Sequence, residues 1–249
     1  MPLAVKLPLL FVLALLLPRG AAATSPNEPH QRLDTSSPAH ARDVALTLDA
    51  CGGAYDRDVI TTLVRLKVPA TIFVTRRWLD ANPLATRELL AHPELFEIEN
   101  HGSTHVPAVV GGSLFGLRGP HDVAGVEKEV LGGAQAVSRA ASRPPTWYRG
   151  AGAAYDAQGE QCIARLGYLI AGFSLNADDG ATLGAATVAK RLRRVQPGDI
   201  VIAHMNKPAS GTAEGFAAAL PELLARHFRF IKLSQAAGVQ PVTISRPTR

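Results

Sequence analysis

From Asp43 onward the sequence alternates short apolar runs with segments of helical period, and that alternation leaves few folds open. The runs are Asp43 to Asp49, Pro69 to Val74, Leu95 to Ile98, Pro144 to Arg149, Tyr168 to Phe173, Asp199 to His204 and Phe228 to Leu233. Several are apolar without alternation, as expected of strands buried on both faces. Between them, Val59, Ile60, Leu63, Val64 and Leu66 share one helical face after Asp56. Further helices are expected over 76–91 (with Pro83 placed to split it), 123–141, 156–166, 185–195 and 212–226. Strand and helix in regular turn predict an α/β domain with a parallel sheet, here a distorted (β/α) barrel of about seven strands. In such folds chemistry gathers at the C-terminal ends of the strands.

The first 42 residues do not share this pattern. Lys6 precedes an uncharged apolar run, Leu7 to Leu17, followed by Pro18, Gly20 and Ala21-Ala22-Ala23. This is the form of a secretory signal peptide over 1–23, with cleavage expected after Ala23, and the run is too short to span as a stop-transfer helix. Residues 24–42, rich in Pro, Ser, Asn and His, are expected to form a flexible linker, which leaves 43–249 as the folded domain. The formal charge is +5; removing Lys6 and Arg19 with the leader leaves +3. The charges are scattered, so nucleic acid is not an expected partner, nor is a membrane span expected after cleavage. Cys51 and Cys162 both lie in the exported part, where a pair can close a disulfide; two free thiols are the alternative.

Four strand ends carry chemistry-bearing residues. Asp49 ends the first strand, and Glu99-Asn100-His101-Gly102-Ser103-Thr104-His105 follows the third. Arg149 ends the fourth and His204 the sixth. Two imidazoles four residues apart at a strand mouth can point at one metal ion.

These residues resemble the NodB-like polysaccharide deacetylases of carbohydrate esterase family 4. Five stretches match in order over about 43–234. Thr47-Leu48-Asp49-Ala50 is similar to Thr-Phe-Asp-Asp, and His101 to His105 to His-Ser/Thr-x-x-His. Tyr148-Arg149 to Asp156 resembles the arginine motif, Asn176 to Gly180 stands where Asp-x-x-Asp-Trp is expected, and Ile202-Ala203-His204 resembles Leu-x-His. The resemblance implies a secreted hydrolase that removes acetyl groups from N-acetylated sugars in a peptidoglycan- or chitin-like chain. It uses a divalent metal, expected to be Zn2+. His101 and His105 would bind the metal, Asp49 would be the general base and His204 the general acid. Arg149 would hold Asp49 ionised and Asp179 would orient His204. Trp147, Tyr148 and Ile202 would line the acetyl pocket and sugar groove.

The chain departs from the pattern in places. The family's second motif Asp, a metal ligand, is Ala50 here. The candidates for the vacant place are Asp49 itself and Asp56, one turn on, for which a helix N-cap is the competing role. Gly150 and Ala151 replace the arginine-motif prolines, Gly180 replaces the Trp, and Gly102 follows the first His. Two alternatives therefore stand beside deacetylation: hydrolysis of an O-acetyl ester or another amide on the same fold, and a catalytically silent glycan-binding member.

Overall fold

The computed structural model describes residues 26–241. The expected leader over 1–23 and its cleavage point lie outside them. The fold begins earlier than expected: β1 (Gln31–Leu33) and a 3-10 turn (Pro38–His40) lie within the stretch expected to be a linker. Its composition shows no apolar period because backbone groups hold it, with β1 antiparallel to β12 (Val239–Pro241).

In chain order the elements that build the body are β2 (Asp43–Ala50), α1 (Arg57–Leu66), β3 (Ala70–Val74), α2 (Arg76–Ala81), α3 (Pro83–Leu90) and β4 (Phe96–Asn100). A small hairpin, β5 (Ser113–Leu114) and β6 (Leu117–Arg118), precedes α4 (Val123–Ala141) and β7 (Trp147–Tyr148). Then come α5 (Ala157–Arg165), β8 (Leu169–Ile170), β9 (Leu175–Asn176), α6 (Ala185–Leu192), β10 (Ile200–His204), α7 (Thr212–Ala225) and β11 (Arg229–Ile231). Helices α2 and α3 meet at Asn82 and Pro83, the split expected of a proline at the first position of a new helix.

Seven parallel strands curl into a half-barrel in the order β8-β7-β4-β3-β2-β10-β9, and β11 adds to the first residues of β2. The strand expected at 168–173 shrinks to β8, and β9 is a further short strand beyond it. Phe173, between them in sequence, exchanges hydrogen bonds with the arm at Pro29 and Gln31.

Alternation along β2 explains the site. Val44, Leu46, Leu48 and Ala50 belong to the apolar layer packed under the helices, while Ala45 packs with Phe73, Ile200 and Ile202 inside the curl. Thr47 and Asp49 share the parity of Ala45 and face inward. Asp49 and His204 sit opposite each other in the β2–β10 register, and Asn100 and Tyr148 pair in β4–β7. The last residues of four parallel strands thus share one mouth.

Candidate active site

Beneath the mouth, Arg149 is fully buried and each of its three guanidinium nitrogens donates. One terminal nitrogen donates to Asp49 Oδ1 at 3.0 Å and to Thr47 Oγ1 at 2.7 Å. Nε donates to the Ala171 carbonyl and the other terminal nitrogen to the Gly172 carbonyl, both at 3.1 Å. The guanidinium also lies over the Phe73 ring, 4.4 Å from its centroid. Burial pushes the Asp49 carboxyl up, but the charges of Arg149, His101 and His204 pull it down further, so it stays below the ordinary carboxylate value.

His101 is held by the chain that carries Arg149. Its Nδ1 lies 2.6 Å from the Arg149 carbonyl oxygen, which can only accept, so Nδ1 carries a proton and Nε2 faces the mouth. Nε2 is 3.4 Å from Cys51 Sγ and 3.9 Å from Asp49 Oδ2. The His101 and His105 rings have centroids 5.0 Å apart.

His105 depends on a residue the sequence reading missed. Glu129, in the middle of α4, accepts the backbone N–H groups of Thr104, His105 and Val106 at 2.8, 2.8 and 3.1 Å, and the Thr104 hydroxyl at 3.0 Å. That carboxylate fixes the turn in which His105 adopts a left-handed backbone, φ 68°. It also accounts for Gly102: its φ is +89°, and a Cβ there would stand 2.6 Å from Glu129 Oε1. The signal in the sequence was a glutamate on the apolar stripe of a helix, which needs a partner when buried.

His204 faces this group from β10. Its Nδ1 is 2.9 Å from Asp178 Oδ1, and Asp178 Oδ2 accepts from the His204 backbone N–H at 2.7 Å and the Thr212 hydroxyl at 2.9 Å. Burial pushes the imidazole down; the Asp178 carboxylate and the Cys51 sulfur more than reverse this, so His204 titrates well above a free histidine. Asp178 is therefore the partner, not Asp179. Asp179 is exposed in a left-handed turn, φ 53°, its N–H bonded to Asn176 Oδ1, and it only borders the cleft.

Three further expectations are corrected. Asp56 caps α1, accepting from the Val59 N–H at 3.3 Å, and is absent from the cleft. Trp147 shares the parity of Arg149 but lies two residues deeper, where it packs against the inner apolar cluster and borders a separate groove with Leu233. Tyr148 has the opposite parity and is wholly buried with Val126, Val130, Tyr155 and Ile163. Neither aromatic borders the cleft; Ile202 does, with Phe173, Phe115 and Leu117, the last two from the β5–β6 hairpin and its turn. The cleft holds about 510 Å3 and opens onto Asp49, Cys51, His101, His105 and His204. The two cysteines are both free: Cys51 stands in the cleft and Cys162 is buried on α5.

His101, His105 and Cys51 offer ligand atoms that all lie within 4.8 Å of one another. Two imidazoles and a sulfur at the edge of an open cleft suit a divalent cation with a position left for substrate. With the geometry in hand, the comparison with known families decides the relationship: the model described as polysaccharide deacetylase matches residues 36–171. The chain belongs to the polysaccharide deacetylase family.

Solved structures of that family share the fold of this polysaccharide deacetylase-family chain. A carbohydrate esterase family 4 pseudoenzyme from Bacillus anthracis aligns at TM-score 0.66 and 18% identity, over 78% of this chain and 65% of its own. The chain thus spans about two-thirds of that relative's length. A peptidoglycan N-acetylglucosamine deacetylase, Bc1960, aligns at TM-score 0.69 and 17% identity, over 82% of this chain and 90% of its own. A family 4 acetyl xylan esterase from Clostridium thermocellum, in complex with cobalt, aligns at TM-score 0.64 and 20% identity, over 78% and 89%. No curated protein sequence matches the chain. Family 4 hydrolases act on acetyl groups and use a divalent metal. No helix among the described residues is long and apolar enough to cross a membrane.

Proposed function

We propose that this chain is a secreted, metal-dependent hydrolase that removes acetyl groups from N-acetylated glycans of the peptidoglycan or chitin kind. One observation carries the reading: the Asp49 carboxylate, bonded to Arg149, and the His204 ring, bonded to Asp178, face one cleft. Arg149 favours the anion at Asp49, and Asp178 favours the cation at His204. A base and an acid whose environments drive their pKa values apart are what amide hydrolysis needs.

His101 and His105 would hold the cation. When bound, it supplies Lewis acidity to the acetyl carbonyl and lowers the pKa of water. Asp49 takes the proton of the attacking water, and Arg149 keeps its carboxylate in place. His204 gives its Nε2 proton to the departing amine while Nδ1 stays on Asp178. The acetyl methyl would fit against Ile202 and Phe173, and the sugar would leave past Phe115 and Leu117.

A proton held on His204 by Asp178 would favour an amide over an ester, because an amine leaves poorly without a proton whereas an alkoxide needs it less. A second reading, a silent glycan-binding member, is favoured by Ala50, which removes a carboxylate from the motif. The test is acetate release by the purified chain with its metal content determined. N-acetylglucosamine oligomers and acetylated xylan serve as parallel substrates. Stoichiometric metal with faster release from the oligomers is expected. Bound metal with release from xylan only replaces the amide by the ester. No release from either points to the silent binder.

A further inference from the structure

The carboxylate absent at Ala50 has a counterpart one residue later. We infer that Cys51, as a thiolate, is the third protein ligand of the cation held by His101 and His105. The site then selects a thiophilic ion, zinc or cobalt, over magnesium, calcium or manganese. This rests on the metal-dependent reading above.

The separation fits. A nitrogen bound at about 2.05 Å and a sulfur at about 2.3 Å on one tetrahedral ion stand roughly 3.6 Å apart. Cys51 Sγ and His101 Nε2 are 3.4 Å apart. His101 Nε2 already faces the sulfur, because Nδ1 is engaged by the Arg149 carbonyl. The backbone that carries the sulfur is pinned from three sides. The Cys51 carbonyl accepts from Thr75 Oγ1 and from the Arg77 guanidinium, both at 3.1 Å, and the Gly52 carbonyl accepts from Asn206 at 2.6 Å. A cradle so fixed before any ligand arrives lowers the cost of binding.

The other donors are spent or turned away. Ala50 packs in the apolar layer beneath the helices, so an acid there would meet Leu48 and Val74. Asp49 is held by Arg149. Asp56 caps a helix. No disulfide takes the sulfur, since Cys162 is enclosed in a separate cluster with its own sulfur 3.9 Å from the Val123 carbonyl. A thiolate with two imidazoles is a donor set that suits zinc and disfavours hard, oxygen-seeking cations.

The rival use of the same sulfur is covalent. The thiolate would attack the acetyl carbon, the amine would leave with a proton from His204, and water would then hydrolyse the acetyl thioester. The geometry favours ligation, because both imidazoles converge on the sulfur and one open position remains.

The test loads the full chain, stripped of metal, with cobalt(II) and reads its absorption. One equivalent bound with an intense near-ultraviolet thiolate-to-cobalt band is expected. Cys51→Ser should lose the band and weaken zinc binding more than about 100-fold, beyond the loss usual for an outer-shell partner. Cys51→Asp, which keeps a charged ligand and tests that the pocket still folds, should retain metal without the band and gain affinity for manganese. Equal cobalt binding and an identical spectrum in wild type and Cys51→Ser would overturn Cys51 as ligand and leave the deacetylase reading standing. No cobalt or zinc bound by any of the proteins would take both down. An acetyl adduct on Cys51 in active, metal-free protein, seen by mass spectrometry, would replace ligation by the covalent route.

Discussion

The two polar walls of the cleft are built from different material. The Asp49 wall is made of strands: Asp49 on β2, His101 just past β4 and Arg149 just past β7, with His101 and Arg149 locked by bonds to backbone carbonyls of adjacent segments. The His204 wall has one strand residue, and its support comes from a turn, Asp178, and from the first residue of α7, Thr212. The strand wall is therefore rigid and costly to disturb. The turn wall is the one where small changes tune chemistry without unfolding the protein.

That contrast can be broken or sharpened by substitution. The largest effect is expected from Asp49→Asn, which removes the base while keeping its shape: kcat should fall by about 10^2 to 10^4, with circular dichroism and metal content unchanged. Turnover near wild type would remove Asp49 from the chemistry. Arg149→Met should be mainly a stability variant, because it leaves the Asp49 charge buried without its partner. Urea unfolding should show a loss of about 3–5 kcal/mol, and a loss below 1 kcal/mol would deny the rigid wall.

On the other wall, Asp178→Asn should lower kcat by about 100-fold and cost less stability than Arg149→Met, because His204 can shed its proton while Asp49 stays charged. Its pH profile carries the sign. His204 works when protonated, so the rate fades as pH rises through its pKa, and Asp178 holds that pKa up. Without the carboxylate the alkaline limb should move to lower pH; an unmoved limb would assign it to another group. Glu129→Ala should cost about 10- to 100-fold in zinc affinity, with kcat largely kept at saturating metal, because the loop bearing His105 loses its anchor. The smallest effect belongs to Trp147→Phe: KM for N-acetylglucosamine oligomers should not change, and a several-fold rise would return Trp147 to the groove.

Most of the strand wall was legible in the sequence. The alternation of apolar runs and helical segments predicts the curled parallel sheet, and inward parity at a strand's C-terminal end, or a place in the loop just past it, brings a side chain to the mouth. Asp49, His101, Arg149 and His204 follow from that rule. The turn wall was not legible at the level of single residues. Asp178 and Asp179 are adjacent and chemically alike, and only the left-handed backbone at Asp179 turns it outward while Asp178 faces His204. Trp147 was misjudged in depth rather than in direction, since parity says which face a side chain takes but not how far below the rim it lies. In the sequence Cys51 reads as half a disulfide or a free thiol, because its neighbours at the site, His101 and His105, follow β4, about fifty residues away. Glu129 was hidden for the same reason: its partners are backbone N–H groups, which leave no trace in residue identity.

The arm that leads into β1 has one more consequence. Asn27 pairs with Tyr155, and Glu28 borders the same cleft that holds Asp49 and His204. The chain therefore enters the domain at the rim of its own mouth and only afterwards runs down its flank to Asp199. A tether placed ahead of this arm would therefore hold the domain mouth-first and confine it to molecules lying close to the surface that holds it.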